Sequence, residues 1–225
     1  MKPAPSANSQ NYIRNYDNAN GAKSGLVGFL MDRGHRILED SLPENAKSDV
    51  IVEVGAGTGH HFPHVKKAKS YYLTDASSEM LEFAKKNLEG LSENVIFEKQ
   101  DATKLTYPDH FCDRLIATHV LEHLMDPVKI LAEWDRVVKP GGILSFILPC
   151  DPGLLWRFGR HFGPRRKALA AGISYDYVMA AEHVNHITGL VTFIRHHFDQ
   201  VNETWYPTRI PWSDINLFYI CHVRK

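Results

Sequence analysis

Apolar and polar positions change their period along this chain, and the changes mark its elements. Between residues 26 and 42, Leu26, Phe29, Leu30, Ile37 and Leu38 recur at the spacing of one helical face. From Asp49 the pattern becomes short apolar runs separated by amphipathic segments. VIVEV (50–54), YYLTD (71–75), NVIFEKQ (94–100) and DRLIAT (113–118) read as strands. Between the second and third, Met80, Leu81, Ala84 and Leu88 share a helical face, and Ser77 stands where a cap belongs. DPVKILAEWDRVV (126–138) reads as a helix with Pro127 in its first turn, where a missing N–H costs nothing. The turn Pro140-Gly141-Gly142 then leads into a fifth strand, ILSFIL (143–148). A short helix near 188–197 and two strands near 200–206 and 215–223 close the chain.

Strands alternating with helices predict an α/β fold with a doubly wound, mostly parallel sheet and helices on both faces. In such sheets ligands sit beyond the carboxyl ends of the strands. Residues just after strands are therefore the ones to read for chemistry.

The sharpest signal there is Glu53-Val54-Gly55-Ala56-Gly57-Thr58-Gly59, directly after a buried strand. Glycines allow a tight turn and let a ligand approach without a Cβ in the way. Taken alone, such a loop is as often an ordinary turn. Asp75 ends the second strand about 20 residues on, where an acid meets ribose hydroxyls in nucleoside-binding folds; it also fits a helix cap. Asp101-Ala102 follows the third strand, as a surface turn would too.

With these residues in place, the chain resembles the class I S-adenosylmethionine methyltransferases. VIVEVGAGTGHH, YYLTDASSEML, EKQDATKL, FCDRLIATHVLEHLMDP and VVKPGGILSFILP match that family's successive motifs in order over about residues 48–150. They look like its small-molecule branch, which includes the ubiquinone-biosynthesis enzymes. EHVNHIT and the closing strands fit more weakly. The resemblance implies a seven-stranded sheet with an antiparallel last strand in a single domain spanning 1–225. Within it, 1–47 would form a helical cap, 48–150 the cofactor-binding core, 151–186 a substrate lid and 187–225 the closing helix and strands. It implies S-adenosyl-L-methionine as cofactor. Gly55, Ala56, Gly57 and Gly59 would lie against it, with Glu53 orienting the loop and reaching toward the amino group. Asp75 would hold the ribose, with Ala76, Asp101 and Ala102 about the adenine. His119 would lie near the sulfonium. Tyr16, or Tyr12, would close over the cofactor.

Several alternatives weigh against this reading. A dinucleotide site wants GxGxxG, whereas Gly55, Gly57 and Gly59 are spaced GxGxG and followed by His60-His61. DNA amino-methylating enzymes carry a Pro-Pro-Tyr-like motif where this chain has THVLEH. A catalytically silent cofactor-binding relative, or an RNA-directed methyltransferase, stays open as the runner-up.

Composition narrows the partners. Lys+Arg and Asp+Glu are equal at 26 each, so the excess positive charge that grips bulk nucleic acid is missing. With 44% hydrophobic and 23% charged residues the chain can bury a full core. Cys112, Cys150 and Cys221 are odd in number, widely spaced and expected in strands, which argues for free thiols in a reducing compartment. MKPAPSANSQN lacks the apolar region of a signal peptide, and the expected location is cytoplasmic without a transmembrane segment. Oligomeric state is not legible.

The reaction the family implies is methyl transfer to an oxygen or nitrogen atom of a small acceptor. A hydroxyl acceptor needs a base, and His119, His123 and His183 are the candidates, with His123 preferred and His186 nearby. Glu122-His123 also suits the capping of the next helix. His119-x-x-Glu122-His123 with His183 or His186 would offer metal ligands, as a Glu-x-x-Glu-His cluster does in related methyltransferases. Here His119 replaces the first Glu, and 13 histidines make chance clusters common, so no metal is expected. WRFGRHFGPRRKA (156–168) sets five cations among aromatics. It fits a solvated basic helix, or an acceptor that is phosphorylated, carboxylated or lipid-linked. Trp205, Tyr206 and Trp212 would line the acceptor pocket or simply pack at an edge.

Overall fold

The computed structural model describes residues 25–225 apart from 47, 67, 92, 93 and 171. The expected cover by Tyr12 or Tyr16 lies outside the described residues. One seven-stranded sheet runs in the order β3-β2-β1-β4-β5-β7-β6. Its strands are β1 (Val50–Val54), β2 (Ser70–Asp75), β3 (Val95–Lys99), β4 (Cys112–Thr118), β5 (Val138–Pro149), β6 (Val201–Tyr206) and β7 (Phe218–Arg224). β1 through β5 pair in parallel, and β7 inserts antiparallel between β5 and β6. This is the doubly wound sheet with a reversed last strand that the sequence predicts.

Two apolar clusters cover the two faces. On one, Ile130, Leu131 and Trp134 of α3 (Pro127–Val137) and Leu190, Val191 and Ile194 of α7 (Ile187–His197) pack on Leu115, Leu144 and Phe146. On the other, Leu38 of α1 (Gly25–Asp40) and Leu81 and Ala84 of α2 (Ser78–Asn87) pack on Ile51, Leu73 and Ile220. Ser77 caps α2 by accepting from the Met80 amide at 3.3 Å. Among the described residues no helix is long and apolar enough to cross a membrane.

Three expectations change. Phe29 projects into solvent, while Leu38 carries the buried face of α1. β5 starts at Val138 and runs through Pro140-Gly141-Gly142. Gly141, at φ +76°, donates its N–H to the Lys225 carbonyl, so the chain's end holds this stretch extended. Cys150 falls one residue past β5 rather than in a strand, although all three thiols are free and buried as expected. The stretch after it forms three short helices, α4 (Leu154–Phe162), α5 (Pro164–Ala170) and α6 (Tyr175–Glu182).

Candidate functional site

The carboxyl ends of β1, β4 and β5 open into a cavity roofed by α4 and α6. The glycine loop forms its floor. Gly55, Gly57 and Gly59 have φ of +63°, +54° and +78°, the left-handed region that Cβ-bearing residues avoid. Their surroundings differ. A Cβ on Gly55 would meet Val120 Cγ2 at 2.6 Å, and one on Gly59 would meet Leu88 Cδ1 at 2.9 Å. A Cβ on Gly57 would meet nothing within 4 Å. Gly55 and Gly59 are therefore small because protein packs on them, whereas Gly57 faces open cavity.

Asp75 ties this loop to α2. Its Oδ2 accepts the Gly57 N–H at 2.9 Å and its Oδ1 the Ser77 N–H at 2.8 Å. Burial raises its pKa against those two bonds. Each oxygen keeps a lone pair that a pair of hydroxyls could use. Glu53 is buried on β1, where Tyr71 Oη donates to its Oε2 at 2.7 Å. Burial pushes its pKa up to about 8, so at neutral pH it is mostly a neutral acid, with Oε1 buried and unpartnered. Ala76 is exposed beside Asp75. Asp101 is exposed too, and its Oδ1 accepts from the amide and hydroxyl of Thr103, which holds its pKa low. Ala102 supplies its carbonyl to Trp134 Nε1 at 2.8 Å. Asp101 thus closes its own turn and, like Glu53, Gly59, Asp75, Ala76 and Ala102, lies outside the cavity lining.

The opposite wall carries the titratable groups. His119, just past β4, is held at φ +57° with its amide bonded to the Ile147 carbonyl at 2.9 Å. Such strain in a residue bearing a Cβ persists only where the surroundings impose it. Burial, then the neighbouring imidazoles, push its pKa down to about 3, so it stays neutral. Glu122 is buried, its pKa pushed up to about 7 by burial, and its Oε2 has no partner. His123 Nδ1 donates to the Glu182 carbonyl at 2.9 Å, which leaves a lone pair on Nε2, 3.7 Å from Glu122. His183 packs edge-on to His123 at 4.9 Å between ring centroids, and its Nδ1 lies 2.8 Å from Asp151 Oδ2. Arg160 approaches the same carboxylate at 3.2 Å. Burial alone would raise the Asp151 pKa, but His183 and Arg160 outweigh it and the net shift is downward.

His119, His123 and His183 therefore meet at one cavity, as the sequence reading supposed, while His186 is exposed at the start of α7. Glu122, His123 and His183 offer ligand atoms within 4.8 Å of one another, close enough to share a divalent ion. Asp151 was missed, whereas Arg160 belongs to the basic segment read as facing the acceptor. Asp151 lies directly behind β5, so the rule that singled out Asp75 applied to it as well. His35 was missed too; it reaches the cavity from α1 and bonds His61 at 3.0 Å. Trp205 packs edge-on against Tyr219 and Tyr206 stacks on Phe218, away from the lining.

Residues 52–146 match the methyltransferase domain family. That match covers less than half of the chain. The ubiquinone/menaquinone biosynthesis C-methyltransferase UbiE of Francisella philomiragia is 32% identical over 146 residues, covering 59% of this chain and 58% of that protein. The chain thus spans little more than half the length of the curated relatives it matches. An S-adenosylmethionine-dependent methyltransferase from Aquifex aeolicus has the same fold, at a TM-score of 0.62, 17% identity and coverage of 96% of this chain and 98% of that one. The CurJ carbon methyltransferase aligns at a TM-score of 0.65 and 17% identity, over 93% of this chain and 57% of that one.

Proposed function

We propose that this protein transfers the methyl group of S-adenosylmethionine to a small acceptor that gives up a proton in the reaction. One observation carries the reading: a single cavity joins open space at Gly57 to a wall that holds three imidazoles and a buried carboxyl. The gap beside Gly57, the two Asp75 oxygens and the unpartnered Glu53 Oε1 suit the adenosyl, ribose and amino groups. The bound cofactor supplies a sulfonium methyl that is already electrophilic. The protein's part is to hold the acceptor in line with it and to take a proton, effects worth about 7–11 kcal/mol and 100- to 10,000-fold respectively.

His183 is the best-placed base. Asp151 beside Nδ1 would orient the ring and stabilise its charged form, as a carboxylate does for a general-base histidine. His123 stands next to it with Nε2 free to accept. Neutral His119 can hydrogen-bond the acceptor without adding charge near the sulfonium, and so can Glu122 in its protonated form, which burial favours by raising its pKa to about 7.

The curated relatives are named as C-methyltransferases. An acidic carbon, like a hydroxyl, must lose a proton as it is methylated, and the base cluster suits both better than an amine with a free lone pair. The acceptor reading therefore moves from oxygen or nitrogen to carbon or oxygen. Arg160 at the cavity wall favours an acceptor with an anionic group.

The test has two arms. Calorimetry with adenosylhomocysteine should give a one-to-one complex, and no heat would overturn the reading. The purified chain with methyl-labelled cofactor and small-molecule extracts should label a product, and His183→Ala should reduce the rate at least a hundredfold with cofactor affinity unchanged.

A further inference from the structure

We infer that the outer face of α4 and the loop before β7 form a docking surface for an anionic lipid bilayer. Leu154, Phe158 and Phe162 stand at successive turns of α4 and are 64%, 63% and 57% exposed. The opposite side of the same helix is used: Leu155 and Trp156 pack on the core, and Arg160 walls the cavity. The outward stripe is therefore additional to what the fold needs. The loop at 207–215 abuts the start of α4, where the Leu154 amide donates to Asp214 Oδ1 at 3.2 Å. That loop adds Ile210 and Trp212, 54% and 56% exposed. Two segments far apart in sequence thus bring five large apolar side chains to one exposed side.

Charge selects the occupant. Residues 152–175 hold five Lys and Arg and no Asp or Glu, in a chain whose net charge is zero. Arg160 and Arg165 are engaged by Asp151 and Asp176. Arg157, Arg166, Lys167 and Arg209 are exposed, and among the described residues they make no ion pair. A helix with aromatic and aliphatic tips, flanked by more free cations than acids (Asp214 caps its start and Asp176 pairs with Arg165), matches a surface of acyl chains beneath anionic headgroups. Trp212 adds the residue type that favours such an interface. A protein partner would ordinarily present a groove, or charges of both signs, to such a helix.

This surface does not depend on the methyl-transfer reading, and its test needs no acceptor. Full-length protein is floated with vesicles of phosphatidylcholine alone, or of phosphatidylcholine mixed with phosphatidylglycerol. It should partition to the mixed vesicles and be released by salt. Phe158→Ser with Phe162→Ser should lower partitioning at least tenfold. Arg166→Glu with Lys167→Glu should abolish the preference for phosphatidylglycerol. Both variants change exposed side chains and should keep the wild-type melting temperature. Failure to bind either vesicle, or binding indifferent to both variants, overturns the proposal. So does a dimer in light scattering that Phe158→Ser with Phe162→Ser dissociates, because a second copy would then cover this face.

Discussion

Gly57→Ala separates a glycine kept for a ligand from one kept for the fold. At φ +54° an alanine is strained by about 1–2 kcal/mol. Loss of freedom in the unfolded chain returns about 0.4–1 kcal/mol. No atom lies within 4 Å of the added methyl, so nothing else opposes it. The net loss is about 1 kcal/mol, a fall in Tm of about 2–4 °C for a chain of this size. The methyl does, however, fill the gap where the cofactor is proposed to lie. Overpacking costs about 1–3 kcal/mol, or roughly 5- to 150-fold in Kd. Gly55→Ala is the control, since its Cβ falls 2.6 Å from Val120 Cγ2 and should destabilise the fold several degrees further. Thermal unfolding and calorimetry with adenosylhomocysteine read the two effects apart. Wild-type affinity in Gly57→Ala would refute the placement of the cofactor over this loop.

Asp75→Ala should weaken adenosylhomocysteine at least tenfold in calorimetry, and unchanged affinity would remove the ribose assignment. Glu53 binds its proton more tightly when folded, with a pKa of about 8 against 4.5 when free. Its contribution is therefore complete below about pH 4.5 and lost as pH rises through about 8. Urea midpoints of the wild type should fall over that window more than those of Glu53→Gln, and parallel curves would contradict the buried neutral acid. Glu39→Ala should cost about 3–5 kcal/mol by leaving Arg114 buried and unpaired, measured by urea unfolding. A loss under about 1 kcal/mol would mean that water reaches the guanidinium.

What could be read from sequence was what the backbone writes locally. The glycine loop and Asp75 were legible because left-handed turns and strand-end acids leave short-range signatures, and Ser77 and Pro127 for the same reason. The approach of His119 and His123 was legible because they lie four residues apart behind one strand. Their meeting with His183 rested on family resemblance. The place of Asp151 behind β5 was legible, but its pairing with His183 was not. Asp151 is 32 residues earlier in the chain, and only the fold of α4 through α6 brings it round. Asp101 was legible as a strand-end acid, and Thr103 two residues on also gives one of its carboxylate oxygens a local turn. Phe29 misled because helical periodicity gives a face but not its width.

The placement of α1 shows how burial and function connect across the sheet. Its apolar face alone fixes neither rotation nor height, because apolar contacts carry no direction. A chain of buried polar bonds supplies both. His222 on β7 donates from Nε2 to the Leu38 carbonyl at 2.9 Å. Burial holds its pKa at about 4, so the ring is neutral and Nδ1 accepts from Ser145 at 2.9 Å. Ser145 in turn accepts from Arg114 Nε at 2.8 Å, and the guanidinium grips Glu39 of α1 at 2.8 and 3.1 Å. Burial would raise the Glu39 pKa, but the bonds from His61 and Arg114 outweigh it and hold the pKa at about 2. Glu39 also bonds His61, which bonds His35 at the cavity wall. Each donor has its acceptor, and the whole chain can be satisfied only at one position of the helix. Breaking it at Glu39 should therefore do more than destabilise the fold: it should release Leu30, Met31 and His35 from the cavity wall. A Glu39→Gln variant that stays folded should lose affinity for adenosylhomocysteine, although residue 39 is absent from the cavity lining. Unchanged affinity in that folded variant would mean that the apolar face positions the helix unaided.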